Sequence, residues 1–415
     1  MRLVTSGPDI PAELMKSQET GRLVFFCGAG VSCNVGLPLF PGLVDGIYEV
    51  VGANKEDNSV EKLYHDAKEY DFVLGALEEG LADANAVRRA IWQILQIRHG
   101  TGLWGLHEAL LRLSLKSDHR LQLVTTNYDQ AFKFVARELN LSIKEFAAPL
   151  LPIPKFNQWN GLVYLHGFLQ ESCGDTELQN LVVTSGDFGR AYLTERWASR
   201  FISELFRNFD ICFVGYSLND PVLRYAVDAL AADRKNGEST RAVWAFVSYT
   251  PNDPGHPNHS QEEWKKWKGK GVQPILYPTI ANSFHRHRLL YDTFVKWADL
   301  VRDGLFDGEA VVARLATKIP RVSASDDDVS QMLWALAEPE GNAAHRLAHF
   351  NPLPPWEWVE VVMNASLSRE ALKRLGIDER KLLRSSDERP PSYSLFRRPM
   401  VGEPWWCSPF QVAVT

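Results

Sequence analysis

A short uncharged run that ends in a glycine turn constrains this chain more than any other stretch. Residues Leu23–Cys27 read Leu-Val-Phe-Phe-Cys, and Gly28, Ala29 and Gly30 follow directly. Five uncharged residues of high β-propensity predict a strand that is buried on both faces, as in a parallel sheet. Glycines let the backbone turn tightly and approach a ligand, and amides ahead of a helix bind anions. The stretch therefore predicts a nucleotide-binding turn.

Predicted strands and helices alternate after this turn. Strands are predicted over residues 121–125, 161–165, 182–184, 210–214, 242–247 and 272–277. Helices are predicted over 42–51, repeatedly across 59–114, over 130–139 and 188–206, and from 221 to about 233. This alternation predicts an α/β fold, a doubly wound parallel sheet of Rossmann type with helical insertions. The ligand crevice of such a sheet lies along the carboxyl ends of its strands.

The composition changes near residue 301, which predicts a second domain. We expect residues 1–300 to form the nucleotide-binding, catalytic domain and residues 301–415 to form a small, mostly helical C-terminal domain for assembly or partner contact. The acidic run at 326–328 can cap a helix whose apolar positions are Val329, Met332, Leu333 and Leu336. Four exposed-looking tryptophans of this region, at positions 356, 358, 405 and 406, are either core aromatics or an assembly surface.

Charge and cysteine usage argue against several classes of protein. The chain has 45 Lys and Arg against 51 Asp and Glu, and this balance does not favour a basic surface for nucleic acid. Its five cysteines are scattered without a C-x-x-C pair, which indicates a reducing compartment and neither a zinc ribbon nor a disulfide framework. No run approaches the ~18 apolar residues of a membrane helix. We therefore expect a cytoplasmic protein that binds no membrane and no metal.

Three polar signatures each follow a predicted strand. They are Thr-Asn-Tyr-Asp at 126–129, His-Gly at 166–167 and Gly-Tyr-Ser-Leu-Asn-Asp at 215–220. Because parallel strands bring their carboxyl ends to one edge, these residues should converge near the glycine turn at 28–30. The set offers a base, a hydrogen-bonding amide, a carboxylate and a phosphate cradle, and it lacks an activated nucleophile.

Each residue of these signatures also has a purely structural reading. Asn127 and Asp129 can be turn and capping residues of the helix that follows them. His166 can be a hydrogen-bonded histidine of the core. Ser217 and Asp220 can be N-cap residues of the next predicted helix.

Familiar hydrolase and nucleotide motifs fit this chain poorly. Ser217 lacks the final glycine of a G-x-S-x-G elbow, which disfavours serine hydrolysis. Cys33 stands where the third glycine of a Rossmann G-x-G-x-x-G falls, and Glu49 lies in a predicted helix, so hydride transfer is disfavoured. No Walker A lysine follows the glycines, and ATP hydrolysis would lack its phosphate clamp.

Four motifs in order resemble the catalytic domain of the sirtuins. They are GAGVS at 28–32, TTNYD at 125–129, HG at 166–167 and GYSLND at 215–220. The resemblance covers about residues 23–277, and it implies binding of NAD and cleavage of its nicotinamide bond. Nicotinamide leaves as a neutral molecule, so this chemistry needs a base and positioned polar groups but no general acid.

The resemblance also implies a role for individual residues. Asn127 would orient the nicotinamide ribose and the attacking water, and His166 would act as the base. Asp129 would hold the carboxamide, while the glycine turn and Ser217 would hold the pyrophosphate. The residues placed around NAD are Gly28, Ala29, Gly30, Ser32, Phe40, Thr126, Asp129, Gly215, Ser217 and Asp220.

Two departures from protein-deacylating sirtuins disfavour deacylation. Their C-x-x-C pairs are absent from this sequence, and Leu39-Phe40-Pro41 replaces their Asp-Phe-Arg. The motifs are most similar to the sirtuin-like NAD-consuming effectors of bacterial anti-phage defence, and the Trp-rich tail to the kind associated with a HerA-type hexameric ATPase. This similarity implies an NAD hydrolase that forms ADP-ribose and nicotinamide, a homo-oligomer and an ATPase partner. A protein deacylase and a nucleotide-binding scaffold without turnover stay open as alternatives.

Overall fold

The chain divides into two compact units. The computed structural model describes residues 1–54, 59–83, 85–97, 103–116, 118–155, 158–217, 241–251, 253, 255–256, 258–280, 285–302, 308–320, 327–336 and 342–367. The sheet unit holds residues 17–276 and 280–286, and the helical unit holds residues 1–16, 277–279 and the described part of 287–415. The division into domains at residue 300 stays a prediction.

Within the described residues, seven strands form one sheet in the order β3-β4-β2-β1-β5-β6-β7. The strands are β1 Leu23–Cys27, β2 Gln122–Thr125, β3 Glu145–Ala147, β4 Gly161–Tyr164, β5 Asp210–Val214, β6 Val243–Tyr249 and β7 Gln273–Pro278. Every pair from β3 across to β6 is parallel. The predicted doubly wound α/β sheet is therefore confirmed.

The register of the sheet brings four strand ends side by side. Cys27 at the end of β1 is level with Thr125 of β2 and with Val214 of β5. Thr125 is in turn level with Tyr164 of β4. Strands β2 and β5 flank β1 on opposite sides, so β1 marks the point where the strand order reverses. Ligands of doubly wound sheets bind at the carboxyl ends next to such a point.

Helices cover the sheet because its strands are apolar on both faces. One face of β1 and β5, with Phe26 and Phe213, packs against Phe201 and Leu205 of α10, and α6 contacts β1 and β2. In the described part of the chain before residue 270, which leaves out the helix predicted from 221 to about 233, the helices are α1 Ala12–Glu19, α2 Phe40–Val51, α3 Ser59–Asp66, α4 Tyr70–Gly80, α5 Ala86–Ile94, α6 Gly105–Ser114, α7 Ala131–Glu138, α8 Asp175–Gln179, α9 Ser185–Gly189, α10 Trp197–Asn208 and α11 His259–Gly269.

The helical region predicted across residues 59–114 is confirmed as helices α3 to α6. Leu74 and Leu77 of α4 pack with Val87 and Ile91 of α5 in one buried cluster, which is the apolar spacing that the sequence shows. Phe72 of the same helix is 42% exposed. It lies beside the buried stripe of α4, because successive helical residues point about 100° apart.

The predicted strand at residues 182–184 is wrong. The side chain of Asp187 accepts hydrogen bonds from the backbone amides of Val183 (3.1 Å) and Thr184 (3.0 Å). Thr184 is also the N-cap of α9, where it forms a capping box with Asp187. These amides therefore bond to a side chain rather than to a neighbouring strand, and a helix begins where the sequence predicts a strand to end.

The predicted single helix over residues 188–206 is also wrong. It consists of the end of α9, a π-helical turn at Arg190–Thr194 and then α10. Arg196 interrupts the helix with a φ of +60°, a conformation that a right-handed helix does not contain. Strand β3, which the sequence analysis did not predict, has only three residues, and none of them is fully buried.

The helical unit has its own apolar core. Its later helices are α12 Arg288–Arg302, α13 Gly308–Leu315, α14 Asp327–Leu336, α15 Asn342–Ala348 and α16 Glu357–Leu367. Val329, Met332 and Leu336 of α14 are buried in this core as predicted. Trp358 is fully buried and donates to the carbonyl of Lys318 at 2.9 Å, while positions 405 and 406 lie outside the described residues. Within the described residues, no helix combines the length and apolarity needed to cross a membrane.

Candidate active site

The turns after β1 and β5 pack backbone against backbone. The amide of Gly28 donates to Val214 at 2.9 Å, and the amide of Gly30 donates to Gly215 at 3.0 Å. A Cβ atom on Gly28 or on Gly30 would lie 2.8 Å from an atom of Gly215. Gly215 itself has a φ of +75°, and a Cβ there would lie 2.6 Å from the amide nitrogen of Val31. The protein's own packing therefore requires glycine at these three positions.

This packing bears on the predicted phosphate cradle. The amides of Gly28, Gly30 and Val31 all donate to protein carbonyls in this structure, the last to Gly28 at 3.0 Å. The 3₁₀-helix Ala29–Val35 follows, and Ala29 and Gly30 are partly exposed. Binding of a pyrophosphate here stays a prediction. It requires groups besides these three amides, or a rearrangement of the turn.

Asn127 lies buried between the β1 turn and the 3₁₀-helix. Its side-chain nitrogen donates to the carbonyl of Gly28 at 3.2 Å and to the hydroxyl of Ser32 at 3.0 Å. A carbonyl only accepts, so the atom that faces Gly28 must be the nitrogen of the amide. Both N–H bonds of Asn127 are used in these contacts. The amide oxygen is therefore the atom with which Asn127 can accept a hydrogen bond from a ligand.

Asp129 extends the same network toward helix α7. Its carboxylate accepts from the hydroxyl of Ser32 at 2.8 Å and from the amide of Ala131, the first residue of α7, at 2.9 Å. Burial raises the pKa of Asp129, and its hydrogen bonds oppose that rise. The predicted contact between Asp129 and the start of the next helix is present. Its predicted role in holding a carboxamide stays a prediction.

His166 follows β4, the strand next to β2, and is almost fully buried. Burial lowers its pKa to about 3, so the imidazole is neutral near pH 7. Its Nε2 atom lies 3.0 Å from the hydroxyl of Tyr192, and the ring of Phe188 meets it edge-on at 5.2 Å. A neutral imidazole is the form that can accept a proton, which is what the predicted base requires.

The segment that follows β4 is fixed by buried polar contacts. The amide of Val182 donates to the carbonyl of His166 at 2.9 Å. Arg88 of α5 donates to the carboxylate of Asp187 at 2.6 Å and to the carbonyl of Leu181 at 2.7 Å, and it also pairs with Glu78 of α4 at 2.9 Å. This ion cluster links helices α4 and α5 to the segment next to His166.

Tyr216 connects the ends of β2 and β5. Its hydroxyl donates to the carbonyl of Cys27 at 3.2 Å and therefore accepts from the hydroxyl of Thr126 at 2.6 Å. Its ring packs 5.8 Å from Phe26 and 5.4 Å from Phe213, measured between centroids. The side chain of Thr126, a predicted ligand of NAD, is thus engaged in holding the two strand ends together.

The structure brings most of the predicted residues together at one edge of the sheet. Direct contacts join Gly28, Gly30, Gly215, Ser32, Asn127, Asp129 and, through Tyr216, Thr126. Phe40 begins α2, with its ring edge-on to Tyr70 at 5.8 Å, and Ser217 is exposed. Asp220 lies outside the described residues. The roles of all these residues toward NAD stay predictions.

Four residues of the site were missed by the sequence analysis. Tyr192, Tyr216 and His107 contact predicted site residues, and Arg88 holds the segment beside His166. Tyr216 could have been identified from the sequence, because it lies inside the signature at 215–220. The other three lie in helical segments whose spacing predicts only burial. Within the described residues, no cluster of three His, Cys, Asp or Glu side chains could hold a metal ion.

Comparison with known proteins shows a similarity over the part of the chain that holds two of the predicted site residues. Residues 122–275 match the family model described as SIR2-like domain, a span that includes Asn127 and His166 and begins after the glycine turn. The uncharacterized protein y4cA of Sinorhizobium fredii (strain NBRC 101917 / NGR234) is 32% identical over 355 residues, which are 84% of this chain and 28% of that protein. The match thus spans little more than a quarter of that curated relative. Residues 122–275 are thus similar to a SIR2-like domain.

Proposed function

We propose that this chain, with its SIR2-like domain, is an NAD hydrolase that releases nicotinamide and ADP-ribose. The observation that carries the proposal is that Asn127 and His166 each follow the end of one of two adjacent strands, β2 and β4. Asn127 has both N–H bonds committed to Gly28 and Ser32, and His166 is a buried neutral imidazole. One residue thus offers a fixed acceptor and the other an unprotonated base.

These two groups suit hydrolysis at the nicotinamide ribose. When the bond between the ribose carbon and the nicotinamide nitrogen breaks, its electron pair leaves with nicotinamide, and the ribose develops oxocarbenium character. The Asn127 oxygen can accept a hydrogen bond from a ribose hydroxyl or from the attacking water. Water adds to the ribose carbon, and its proton passes to His166 and then to solvent. The products are nicotinamide, ADP-ribose and one proton.

The proposed biological role is regulated NAD depletion in anti-phage defence. An unregulated NAD hydrolase would drain the cell that makes it, so we propose control by assembly, as a homo-oligomer and with a HerA-type hexameric ATPase. The support for this role is the similarity of the motifs to effectors of that kind. Flanking DNA that lacks an open reading frame with a Walker A motif would count against the ATPase partner.

The decisive experiment incubates the purified chain with NAD, alone and with a HerA-type ATPase, and measures nicotinamide and ADP-ribose. Asn127→Ala and His166→Ala should each lower the rate by about 100-fold or more, the usual effect of removing a group that stabilises the transition state. Lys266→Ala on the exposed face of α11 serves as the control and should keep the wild-type rate. If both site variants cleave NAD as fast as wild type, the assignment of the site is wrong.

Two alternatives give different outcomes in the same assay. A protein deacylase would release nicotinamide only when an acetylated peptide is present, whereas a hydrolase releases it without peptide. A scaffold would bind NAD tightly and form no product over hours, with or without the ATPase. The absence of C-x-x-C pairs from the sequence disfavours the deacylase.

A further inference from the structure

A second buried histidine touches the Asn127 network. His107 lies on α6 and is fully buried, with its ring edge-on to Phe132 at 4.8 Å. Its Nε2 atom is 3.4 Å from the hydroxyl of Ser32. Its Nδ1 atom is buried and has no hydrogen-bond partner within the described residues. Burial lowers the pKa of His107 to about 3, so the ring carries one proton near pH 7.

The position of that proton follows from the hydroxyl of Ser32. A serine hydroxyl has one proton to donate and two lone pairs that accept. The proton goes to the carboxylate of Asp129 at 2.8 Å, and one lone pair accepts from Asn127 at 3.0 Å. The Ser32 oxygen therefore has only a lone pair left to interact with His107. The imidazole must therefore donate from Nε2, which leaves Nδ1 as a bare acceptor.

The unpaired Nδ1 atom argues that His107 is more than filling for the core. A buried acceptor without a partner destabilises the folded chain relative to a satisfied one. A phenylalanine or leucine would fill a space lined by Phe132 and Trp104 without that cost. What a histidine offers here, and an apolar residue does not, is the N–H bond toward Ser32.

We propose that His107 is a positioning residue for the NAD-cleaving site, donating from Nε2 to Ser32 and so fixing the network that orients Asn127. This rests on the proposed function. When His107 donates to one lone pair of Ser32, the hydroxyl proton of Ser32 can be donated only to Asp129. The other lone pair then accepts the hydrogen bond from the side-chain nitrogen of Asn127. The amide of Asn127 is then held with its oxygen toward the ligand. His107 itself touches no reacting atom.

The first test needs no enzymatic activity. The full chain is labelled with ¹⁵N-histidine, and long-range ¹H–¹⁵N correlation spectra report which ring nitrogen carries the proton, with His107→Phe assigning the signal. We expect the Nε2–H form near pH 7 and a clear shift of that signal in Ser32→Ala. A proton on Nδ1, or a signal that Ser32→Ala leaves unchanged, would overturn the proposal.

The second test compares two substitutions at the same position. His107→Phe keeps the ring and removes the donor, whereas His107→Gln places an N–H group near the position of Nε2. We expect His107→Phe to lower kcat by about tenfold, the scale of one hydrogen bond, with little change in KM, and His107→Gln to recover most of it. The side-chain amide signals of Asn127 should shift in the first variant and return in the second.

The outcomes of this comparison distinguish a failure of the proposal for His107 from a failure of the proposed function. Equal losses in both variants, or wild-type kcat and Asn127 signals in His107→Phe, mean that His107 is structural, and the proposal fails. If wild type cleaves no NAD under any condition, the proposed function fails instead. The ring proton and the Asn127 signals then still decide whether His107 positions the network.

Discussion

The orientation of the buried polar side chains at this sheet edge follows from which of their partner groups can only accept a hydrogen bond. The carbonyl of Gly28 forces the nitrogen of Asn127 toward it, and the carboxylate of Asp129, which only accepts, takes the proton of the Ser32 hydroxyl. Each residue thereby limits the next. Burial strengthens this constraint, because an unpaired polar group in a dry site is costly.

The burial of His166 predicts a specific dependence of stability on pH. Its pKa is about 3 in the folded chain against an ordinary value of 6.5. Between these two values the unfolded chain binds a proton that the folded chain does not, so the free energy of unfolding falls as the pH is lowered from 6.5 toward 3. The expected contribution is about 1.4 kcal/mol for each pH unit in this window.

His166→Phe removes that contribution, so its stability should fall less steeply than that of wild type on acidification. Urea unfolding at several pH values between 6.5 and 4 measures the difference. Tyr192→Phe is the matched control, because it removes the hydrogen-bond partner and keeps the histidine. Equal slopes in His166→Phe and wild type would mean that His166 is not buried as a neutral ring.

At the scale of elements, the ion cluster of Arg88 predicts strong destabilisation when it is broken. Arg88→Met leaves the buried carboxylate of Asp187 to pair with Arg190, at 3.2 Å, whose side chain is 47% exposed. Removing one partner of a buried pair costs about 3–5 kcal/mol. The neighbouring Arg89 pairs with Asp83 and Asp175 on the surface, where such pairs contribute about 0–1 kcal/mol.

Arg89→Met is therefore the control on the same helix, and urea unfolding of both variants makes the comparison. We expect Arg88→Met alone to lose several kcal/mol and also to slow NAD cleavage, since the cluster holds the segment beside His166. Similar small losses in both variants would contradict a structural role for the cluster.

The contact between the β1 and β5 turns predicts that Gly215 tolerates no side chain. Gly215→Ala combines a φ of +75° with a Cβ only 2.6 Å from the amide nitrogen of Val31. Gly36 has a similar φ of +85° but nothing within 4 Å of its Cβ position. Gly36→Ala thus carries only the penalty of the left-handed backbone, about 1–2 kcal/mol.

We expect Gly215→Ala to lose clearly more stability than Gly36→Ala in urea unfolding. The excess measures the close approach of the two turns. Since that approach also places Gly28 against Gly215, NAD cleavage should fall in Gly215→Ala and persist in Gly36→Ala. Equal effects of the two substitutions would show that the turns separate easily.

Whether the sequence predicts an element correctly depends on which groups accept the hydrogen bonds of its backbone amides. β1, β2, β4 and β5 after its first residue, Asp210, are uncharged runs that pair with parallel neighbours, so their apolar pattern suffices. Residues 182–184 have the same apolar pattern, but Asp187 takes two of their amides. The apolar pattern of these residues does not predict that contact. The same holds for His107, whose partner Ser32 lies 75 residues earlier.

At the scale of the whole molecule, the sheet brings distant segments to one edge. The glycine turn and the residues after β2, β4 and β5 lie at this edge because their strands are parallel and level. That convergence followed from the sequence by the geometry of parallel sheets alone. The hydrogen-bond partners within the site did not, because they depend on side-chain placements that strand order leaves open.

This assembly predicts where NAD should stabilise the chain. A ligand that binds only the folded state raises stability by RT ln(1 + [L]/Kd), about 2.7 kcal/mol at 100 times Kd. Since every predicted contact lies in the sheet unit, NAD should slow amide hydrogen exchange in the turn at 28–32 and in residues 125–129. His166→Ala is used for this measurement so that NAD is not consumed.

Peptides from α15 in the helical unit provide the internal control, and their exchange should not change with NAD. ADP-ribose should protect the same segments of the sheet unit, because it keeps the pyrophosphate and both riboses, whereas nicotinamide alone should protect them little. Uniform protection across both units, or none in the two segments at saturating NAD, would contradict a site at this edge of the sheet. Protection by NAD together with product formation in wild type would separate a hydrolase from a scaffold that only binds.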